Sequence, residues 1–231
     1  KHLNCRILKM ATLSAVEENY LKYIFQLSEI SDKGIVKTND LAYKLEHSAA
    51  SVTDMLKKLS DKKLVVYKRY YGVSLTKSGL QIAVQVLRKH RLWETFLVKN
   101  LKFTWDQVHE IAEQLEHIQS DELIDKMDDY LGHPKFDPHG DPIPDKMGNI
   151  SVPNVICLAD AKLKKQYILS NVNDDSAAFL KYLNKIQLQL NDKIKIADKE
   201  EFDETIQLVV NDKKQLTISK DAAQNMFVKV V

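Results

Sequence analysis

Four potential metal ligands lie close together in one short stretch of the sequence. Residues 106–119, DQVHEIAEQLEHIQ, are expected to form a helix, because apolar residues recur along them at helical spacing. The polar residues at offsets of 0, 4, 7 and 8 then fall on one side of that helix. They are two imidazoles and two carboxylates: His109, Glu113, Glu116 and His117. Side chains of these types bind divalent metal ions.

The preceding helical stretch adds two ligands of the same kinds. In LRKHRLWETFL, His90 and Glu94 are four residues apart and therefore share a helix face. One such pair alone would indicate two ordinary surface charges on a solvated helix. Two sets in consecutive helices favour a metal site, because packing the helices together would bring six nitrogen and oxygen ligands near one another.

The composition is that of an ordinary globular protein, with 231 residues, of which 44% are hydrophobic and 29% charged. No apolar run approaches the roughly 18 residues that would span a membrane. The basic start, KHLNCRILKM, leads into no apolar segment typical of a secretory signal. The two cysteines, Cys5 and Cys157, form no CxxC pattern, which argues against a disulfide framework or a zinc ribbon. We therefore expect a cytoplasmic protein without a membrane partner.

Positive and negative charges are distributed unevenly along the chain. Residues 1–102 contain 19 Lys and Arg against 9 Asp and Glu, whereas residues 103–231 contain 15 against 23. The net charge of +2 therefore conceals a basic N-terminal part and an acidic remainder. This asymmetry predicts a polyanionic partner at one end and bound cations in the rest.

The N-terminal part predicts a series of short helices. A helix over residues 14–30 begins with Ser14 and Glu17, which have the spacing of a capping box. A short helix, TNDLAYKL, follows and would be capped by Thr38 or Asn39. After the turn EHSA, another helix begins near Ser48 and runs through VTDMLKKLSDKK. Two short helices joined by a tight turn are typical of a helix-turn-helix.

A predicted β-hairpin completes a winged helix. In LVVYKRYYGVSLT, alternating residues flank Tyr71-Gly72, which would form the turn. Polar residues on the outward face of the second helix could reach base edges in the major groove: Ser48, Ser51, Thr53 and Asp54. Basic residues of the helix and hairpin could contact phosphates: Lys57, Lys58, Lys62, Lys63, Lys68 and Arg69. Tyr71, at the tip of the hairpin, is a further candidate for DNA binding. We therefore expect double-stranded DNA as partner; the alternative is a winged helix that binds a protein.

Three amphipathic helices follow the winged helix. Thr76 or Ser78 would cap a long helix over residues 77–100, and the ligand-rich helix comes next. The third, SDELIDKMDDYLG, has Ser120 as its cap and Gly132 as its C-terminal stop. Their apolar residues are numerous enough to form a dimer interface as well as a core.

Residues 133–153 contain all five prolines of the chain and no helical or strand period, which predicts a loop. His133, His139 and Asp141 lie in this loop, and we expect them to be solvated rather than to bind metal. Residues 154–231 contain five or six short segments rich in β-branched residues, and one helix-like piece, SAAFLKYLNKI. They predict a small β-barrel.

The sequence resembles the diphtheria toxin repressor family of metal-dependent iron and manganese repressors over nearly its whole length. The likeness is carried by EENYLKYIFQL, LEHSAASVTDMLKKLSDKKLV, LTKSGLQIAVQVLRKHRLWETFL, VHEIAEQLEHIQSDEL and HPKFDPHGDPIP. It implies a mainly α protein with a β part that forms a homodimer. Three domains are implied: a winged helix-turn-helix DNA-binding domain (1–76), a helical dimerisation and metal-binding domain (77–148), and an SH3-like, FeoA-like β-barrel (149–231).

The resemblance also implies two metal sites per subunit. The primary site would consist of Asn19, Glu113, Glu116 and His117. The ancillary site would consist of His90, Glu94 and His109. The barrel would add ligands to the ancillary site, for which Asp174 and Asp175 are the candidates.

Two residues depart from the family pattern and bear on the choice of metal. Glu113 stands where some iron-responsive members have cysteine, and a carboxylate in place of a thiolate favours Mn(II). Asn19 stands where relatives have Met or Asp, and its amide oxygen can still bind a hard cation. Mn(II) is therefore the expected cofactor, with Fe(II) as the alternative.

The expected function is repression of genes for metal-ion uptake and homeostasis. Metal would fix the separation of two recognition helices so that both fit a palindromic operator with half-sites about 34–36 Å apart. One alternative is a metal-independent winged-helix regulator whose C-terminal domain binds a partner. The other, a metallohydrolase, is disfavoured because the ligand helix completes no zinc-protease motif and no separate general base stands out. We therefore expect the protein not to be an enzyme.

Overall fold

The structure, a computed structural model, describes residues 13–31, 33–173 and 176–231. They form two compact units that divide between Val86 and Leu87. The first unit contains three helices, a two-stranded hairpin and the start of a fourth helix. These elements are α1 (Ala15–Glu29), α2 (Thr38–Lys44), α3 (Ala49–Asp61), β1 (Val65–Lys68), β2 (Gly72–Leu75) and α4 (Lys77–Leu101).

Helix α1 forms where the sequence predicts it. The Ser14 side chain accepts a hydrogen bond from the backbone N–H of Glu17, and the Glu17 carboxylate accepts one from the backbone N–H of Ser14. This capping box satisfies two N–H groups that would otherwise lack partners. Leu21, Ile24 and Phe25 bury the apolar face of the helix. Packing of that face, rather than the cap alone, holds α1 in the unit.

Helices α2 and α3 confirm the predicted helix-turn-helix. The predicted cap of α2, Thr38 or Asn39, is wrong: Lys37 has the extended backbone of a cap, without a side-chain hydrogen bond, and Thr38 is already helical. Ser48 caps α3 as predicted, accepting a hydrogen bond from the backbone N–H of Ser51 at 3.2 Å.

Strands β1 and β2 confirm the predicted hairpin. They pair antiparallel, with Lys68 opposite Gly72, and Val36 forms an additional bridge to Val73. Gly72 has a φ of +129°, and a Cβ atom there would lie 2.5 Å from the carbonyl oxygen of Val36. Glycine is therefore required where the wing approaches the segment before α2.

Gly79, in the first turn of α4, lies against the backbone of the winged-helix unit. Its N–H donates to Thr76 Oγ1 at 3.1 Å, and an added Cβ would lie 2.0 Å from the carbonyl oxygen of Leu64. Gly79→Ala is therefore expected to destabilise the protein by about 1–3 kcal/mol, because a backbone atom cannot move aside easily. Urea unfolding of the full chain measures this, with the exposed neighbour change Ser78→Ala as control. Equal stability of the two variants would contradict the expectation.

The second unit begins with the remainder of α4, followed by the helices α5 (His109–Leu115) and α6 (Asp121–Leu131). The predicted helix over 106–119 is wrong in its extent. Val108 offers no capping side chain before α5, and Glu116 is already its C-terminal cap. The backbone N–H of Glu116 still donates to Ala112 at 2.9 Å, so Glu116 keeps helical spacing while His117 lies in the turn that follows.

Helix α6 has the predicted ends. Ser120 caps it, and Gly132 stops it in the left-handed conformation with a φ of +75°. Residues 133–153 form a loop, in which Phe136 and Pro142 make an isolated antiparallel β-bridge. A small core joins α4, α6 and this loop; its buried members are Leu92, Ile124, Met127 and Ile143.

The rest of the chain folds into a six-stranded antiparallel sheet with the strand order β3-β8-β4-β5-β6-β7. The strands are β3 (Ile156–Cys157), β4 (Gln166–Val172), β5 (Lys193–Lys199), β6 (Ile206–Val210), β7 (Lys214–Ile218) and β8 (Met226–Val230). A 3₁₀ turn (Leu158–Asp160), α7 (Ala177–Lys185) and α8 (Lys220–Gln224) connect them. The strands and α7 were predicted and α8 was not.

The predicted fold class is confirmed: a winged helix-turn-helix, a helical part with metal-ligand residues and a C-terminal domain built on a small sheet. Alternate side chains along β5, Ile194 and Ile196, are fully buried with Leu180 of α7 in one core. Within the described residues, no helix has the length and apolar character needed to cross a bilayer.

Candidate functional site

Glu94 lies at the centre of a cluster of potential metal ligands. It is on α4 and is fully buried. Its Oε1 atom lies 3.1 Å from Nε2 of His90 and 3.6 Å from Nδ1 of His109. Its Oε2 atom lies 3.7 Å from Nδ1 of His139. The structure therefore brings together the three helical residues predicted for the ancillary site and adds a third imidazole.

A second set of ligands meets the other ring nitrogen of His90. The Nδ1 atom of His90 lies 2.6 Å from Oε2 of Glu116 and 3.8 Å from Oε1 of Glu113. The Oε1 atom of Glu116 lies 3.6 Å from Nε2 of His117. Three of the residues predicted for the primary site are thus close together, and His90 lies between them and Glu94.

A third set contains two residues that sequence reasoning missed. Glu94, Asp137 and His139 are all buried and offer ligand atoms within 4.8 Å of one another. The expectation that His139 is solvated is wrong, since it is 0% exposed. His133, by contrast, has a 70% exposed side chain. The sequence DPHGDP could have indicated the burial of His139, because Asp and Gly around a histidine form a turn that can direct its side chain inward.

Asp137 builds this turn. Its Oδ1 atom accepts hydrogen bonds from the backbone N–H groups of His139 and Asp141, at 2.8 and 3.0 Å. Arg91 of α4 lies 3.4 Å from the Asp137 carboxylate and 3.0 Å from that of Asp141. Asp141 is therefore engaged by Arg91 and not simply solvated as expected. These contacts hold the loop against the helix that carries Glu94.

The charge of Glu94 is stabilised by its neighbours. Burial alone would raise the pKa of its carboxyl group, because the charged form loses water. Electrostatic attraction by His90 and contacts with His109 and His139 instead hold the pKa of Glu94 well below its ordinary value of 4.5. Glu94 is thus an anion among imidazoles.

Asp137 shows the opposite effect. Burial raises the pKa of Asp137 to about 8, with the negative charges of Asp141 and Glu94 adding to it and Arg91 and His139 acting against it. Arg91 and His139 therefore do not fully offset the burial of Asp137 and the negative charges of Asp141 and Glu94 beside it.

The chemistry of this donor set fits a divalent metal ion. Both Oε2 of Glu94 and Oδ2 of Asp137 are buried, and neither accepts a hydrogen bond from the described residues. Burying such oxygens without a hydrogen-bond donor is costly, and a bound metal ion would offset that cost. Imidazole nitrogens with carboxylate oxygens suit Mn(II), Fe(II) and Zn(II).

Three predicted ligands stay predictions. Asn19 lies on α1 in the first unit, where its buried Oδ1 atom accepts no hydrogen bond from the described residues. Asp174 and Asp175 lie outside the described residues.

A groove of about 640 Å³ lies in the first unit between α3, the start of α2 and the hairpin tip. Its lining combines basic and aromatic side chains with small polar ones: Lys37, Lys57, Arg69, Tyr67, Tyr70, Tyr71, Thr38, Asn39 and Thr53. Basic residues suit phosphates, and exposed polar side chains suit base edges. This groove contains four of the residues predicted to bind DNA: Thr53, Lys57, Arg69 and Tyr71.

The polar residues of α3 contact one another or the helix backbone. The hydroxyl oxygens of Ser48 and Ser51 are 2.9 Å apart, and Thr53 donates to a backbone carbonyl one turn earlier. Asp54 and Lys57 form an ion pair at 3.0 Å, with side chains 77% and 63% exposed. Such an exposed pair contributes little, so Lys57 can exchange its partner for a phosphate at small cost.

Lys58 is engaged within the protein. Glu17 of α1 is buried, and its Oε1 atom lies 3.2 Å from Nζ of Lys58 and 2.6 Å from Nζ of Lys62. Burial raises the pKa of Glu17, but hydrogen bonds from Lys62, the backbone of Ser14 and Lys58 lower it to about 2. The two lysines thus connect the C-terminal end of α3 to α1 through ion pairs. The role of Lys58 as a phosphate contact stays a prediction.

The hairpin tip presents basic and aromatic side chains to solvent. The guanidinium carbon of Arg69 lies 4.9 Å from the centre of the Tyr70 ring. Tyr70 and Tyr71 are 92% and 71% exposed. Lys68 ends β1 beside them. Sequence reasoning named Lys68, Arg69 and Tyr71 but missed Tyr70.

Comparison with known proteins identifies the family. Residues 12–73 match the family described as iron dependent repressor, N-terminal DNA binding domain, and residues 76–145 match iron dependent repressor, metal binding and dimerisation domain. A solved manganese-dependent transcriptional repressor in complex with manganese is 33% identical, with a TM-score of 0.87 over 93% of this chain and 100% of that chain. The chain belongs to the diphtheria toxin repressor family. Its members are metal-dependent transcriptional repressors, so the metallohydrolase alternative is wrong.

Further matches agree with membership of the diphtheria toxin repressor family. Residues 156–230 match the FeoA domain. The HTH-type transcriptional regulator MntR of Shouchella clausii is 35% identical over 114 residues, which are 49% of this chain and 78% of that protein. The iron-dependent repressor IdeR of Mycobacterium leprae is 31% identical over 136 residues. The matched segment covers 58% of this chain and 58% of IdeR, less than two thirds of its length.

Proposed function

We propose that this repressor shuts off metal-uptake genes when Mn(II), or alternatively Fe(II), occupies two sites in each subunit of a homodimer. It would do so in the cytoplasm, on a palindromic DNA operator. The observation that carries the proposal is the buried cluster around Glu94. Three imidazoles and several carboxylates from α4, α5 and the loop after α6 meet there.

The proposed ligands divide into two sets. The primary site consists of Asn19, Glu113, Glu116 and His117. The ancillary site consists of His90, Glu94 and His109, and the contacts of Glu94 support adding Asp137 and His139. Asp174 and Asp175 remain further candidates for it.

The donor set supports the preference for Mn(II). All the proposed donors are oxygens or imidazole nitrogens, and a set without thiolate favours harder cations. When bound, the ion supplies the positive charge that draws these carboxylates and imidazoles together. In its absence, the ligand-bearing segments are held by the contacts already described, such as Arg91 with Asp137.

The proposed DNA-recognition element consists of α3 and the hairpin, in a DNA-binding domain of residues 1–76. Residues 77–148 would provide metal binding and dimerisation, and residues 149–231 the barrel. The proposed base contacts are Ser48, Ser51, Thr53 and Asp54. The proposed backbone contacts are Lys57, Lys58, Lys68, Arg69 and Tyr71.

Retention of genomic duplex DNA by the purified full chain tests this function. The protein is offered fragments of the source genome at fixed salt in Mn(II), in anaerobic Fe(II), in Zn(II) and in excess chelator. We expect a palindromic site to be recovered with Mn(II) or Fe(II) and not with chelator. The metal acts through its greater affinity for the DNA-competent state.

The same experiment separates the remaining alternative. A metal-independent winged-helix regulator, whose C-terminal domain binds a partner, would retain the same fragments equally well in chelator. That outcome would mean that the ligand cluster is structural and would overturn the proposed regulation.

A further inference from the structure

Trp105, in the connection between α4 and α5, joins the metal cluster to the C-terminal domain. Its indole packs against the core of that domain, and its Nε1–H donates to Oδ1 of Asn184 on α7 at 2.8 Å. The side-chain N–H of Asn184 donates to Oδ1 of Asp106 at 3.1 Å, so one amide holds two adjacent residues of the connection. The indole also stacks on the His139 imidazole, with ring centres 6.1 Å apart and planes at 14°.

The backbone of Trp105 fixes the tautomer of His139. Nε2 of His139 lies 2.8 Å from the carbonyl oxygen of Trp105. A carbonyl oxygen only accepts hydrogen bonds, so Nε2 carries the proton and donates it. The neutral ring then has its lone pair on Nδ1, the atom that lies 3.7 Å from Oε2 of Glu94. Ligand histidines are usually oriented by a hydrogen bond that the ring nitrogen not bound to metal donates to a neighbouring acceptor.

Strand β4 of the C-terminal domain holds the same loop from its backbone. The N–H of Val172 donates to the carbonyl oxygen of His139 at 3.0 Å. The side-chain N–H of Asn171 donates to Asp141 at 3.2 Å. Gly140 has a φ of +91°, and a Cβ atom there would lie 2.1 Å from the carbonyl oxygen of Ser170. The loop that carries Asp137 and His139 is therefore in direct contact with the domain.

We propose that the C-terminal domain sets the metal affinity of the group formed by Glu94, Asp137 and His139, and that Trp105 and Asn184 are its positioning residues. Neither residue touches the metal in this proposal. Asn184 holds Trp105, and Trp105 holds His139 in the orientation that a metal requires. The inference rests on the proposed function, because it concerns the same metal centre.

Titration of the full-length protein with Mn(II), followed by the electron paramagnetic resonance signal of free Mn(II), tests this. Asn184→Ala and Trp105→Phe are expected to weaken one class of site by up to about 10-fold and to leave the other unchanged, because they loosen the segment whose backbone carbonyl orients His139. Asn184 is exposed, so its replacement leaves the core intact. Lys181→Ala, an exposed change on the same helix, is the control and should leave both classes unchanged.

Fluorescence gives a second readout that a general loss of stability would not produce. The chain has two tryptophans, so in a Trp93→Phe protein Trp105 is the sole indole. Paramagnetic Mn(II) bound beside His139 is expected to quench its emission as that class of site fills, and His139→Ala should remove the quenching.

Unchanged Mn(II) affinity in Asn184→Ala and Trp105→Phe, or equal losses at both classes of site, would overturn the role of the C-terminal domain. Failure of the proposed function is a different result, because the unaltered protein would then retain DNA equally well with Mn(II) and with chelator.

Discussion

Replacing Glu94 with glutamine is expected to lower the affinity for Mn(II) at least about 100-fold and to abolish metal-stimulated DNA binding. The change keeps the size of the side chain and removes its charge. Glu94 is fully buried and faces His90, His109 and His139. Removing one partner from a buried charged group costs about 3–5 kcal/mol, and about 1.4 kcal/mol corresponds to tenfold in affinity.

Calorimetric titration with Mn(II) measures the first effect, and fluorescence anisotropy of labelled operator DNA with and without Mn(II) measures the second. Glu110→Gln is the matched control, since it removes the same charge from an exposed position on α5. Circular dichroism checks that both variants fold. A folded Glu94→Gln protein with the Mn(II) affinity of the control would show that Glu94 does not belong to a metal site.

Removing Lys57 and Arg69 together is expected to weaken DNA binding about 30-fold at 0.15 M salt and to reduce the salt slope by about 1.8, since each phosphate contact contributes about 0.9. Both residues line the groove between α3 and the hairpin. The loss should be similar on operator and random DNA, because phosphate contacts carry little sequence information.

Binding is measured across a range of salt concentrations at saturating Mn(II). A protein carrying Lys33→Ala and Lys181→Ala loses the same net charge at exposed positions outside the groove and serves as control. If the groove variant and this control show the same salt slope, the groove is not the DNA-binding surface.

Local signals in the sequence predicted most helix ends. Ser14 with Glu17, Ser48, and Ser120 with Gly132 all act where their residue types indicate, because a cap depends on atoms within a few residues of one another. The strands of the C-terminal domain were also predictable, since alternation of buried and exposed residues is a local pattern.

The candidate site was predictable only where its residues lie at helical spacing. His90 with Glu94, and Glu113 with Glu116, could be recognised in this way. Asp137 and His139 lie in a loop without any period, and their burial depends on β4, which is about 30 residues further along the chain. The predicted helix over 106–119 was longer than the observed α5 (His109–Leu115), because the spacing of the ligand residues does not indicate where the helix begins and ends.

Long-range charge pairing was likewise invisible in the sequence. Lys58 and Lys62 look like free cations near the end of α3, yet both meet Glu17, which is 41 and 45 residues away. A buried acidic partner at that distance follows from how α1 packs and from no local motif.

The ion pairs of Glu17 also bear on how the protein searches a genome. Lys58 and Lys62 share the single negative charge of Glu17, so one of their two positive charges is already balanced within the protein and the pair releases fewer counterions from DNA than two free lysines would. Random DNA therefore meets a weaker surface than the residue count implies. With roughly 10⁶–10⁹ competing sites in a genome, a weaker background attraction leaves more of the protein free to reach its operator.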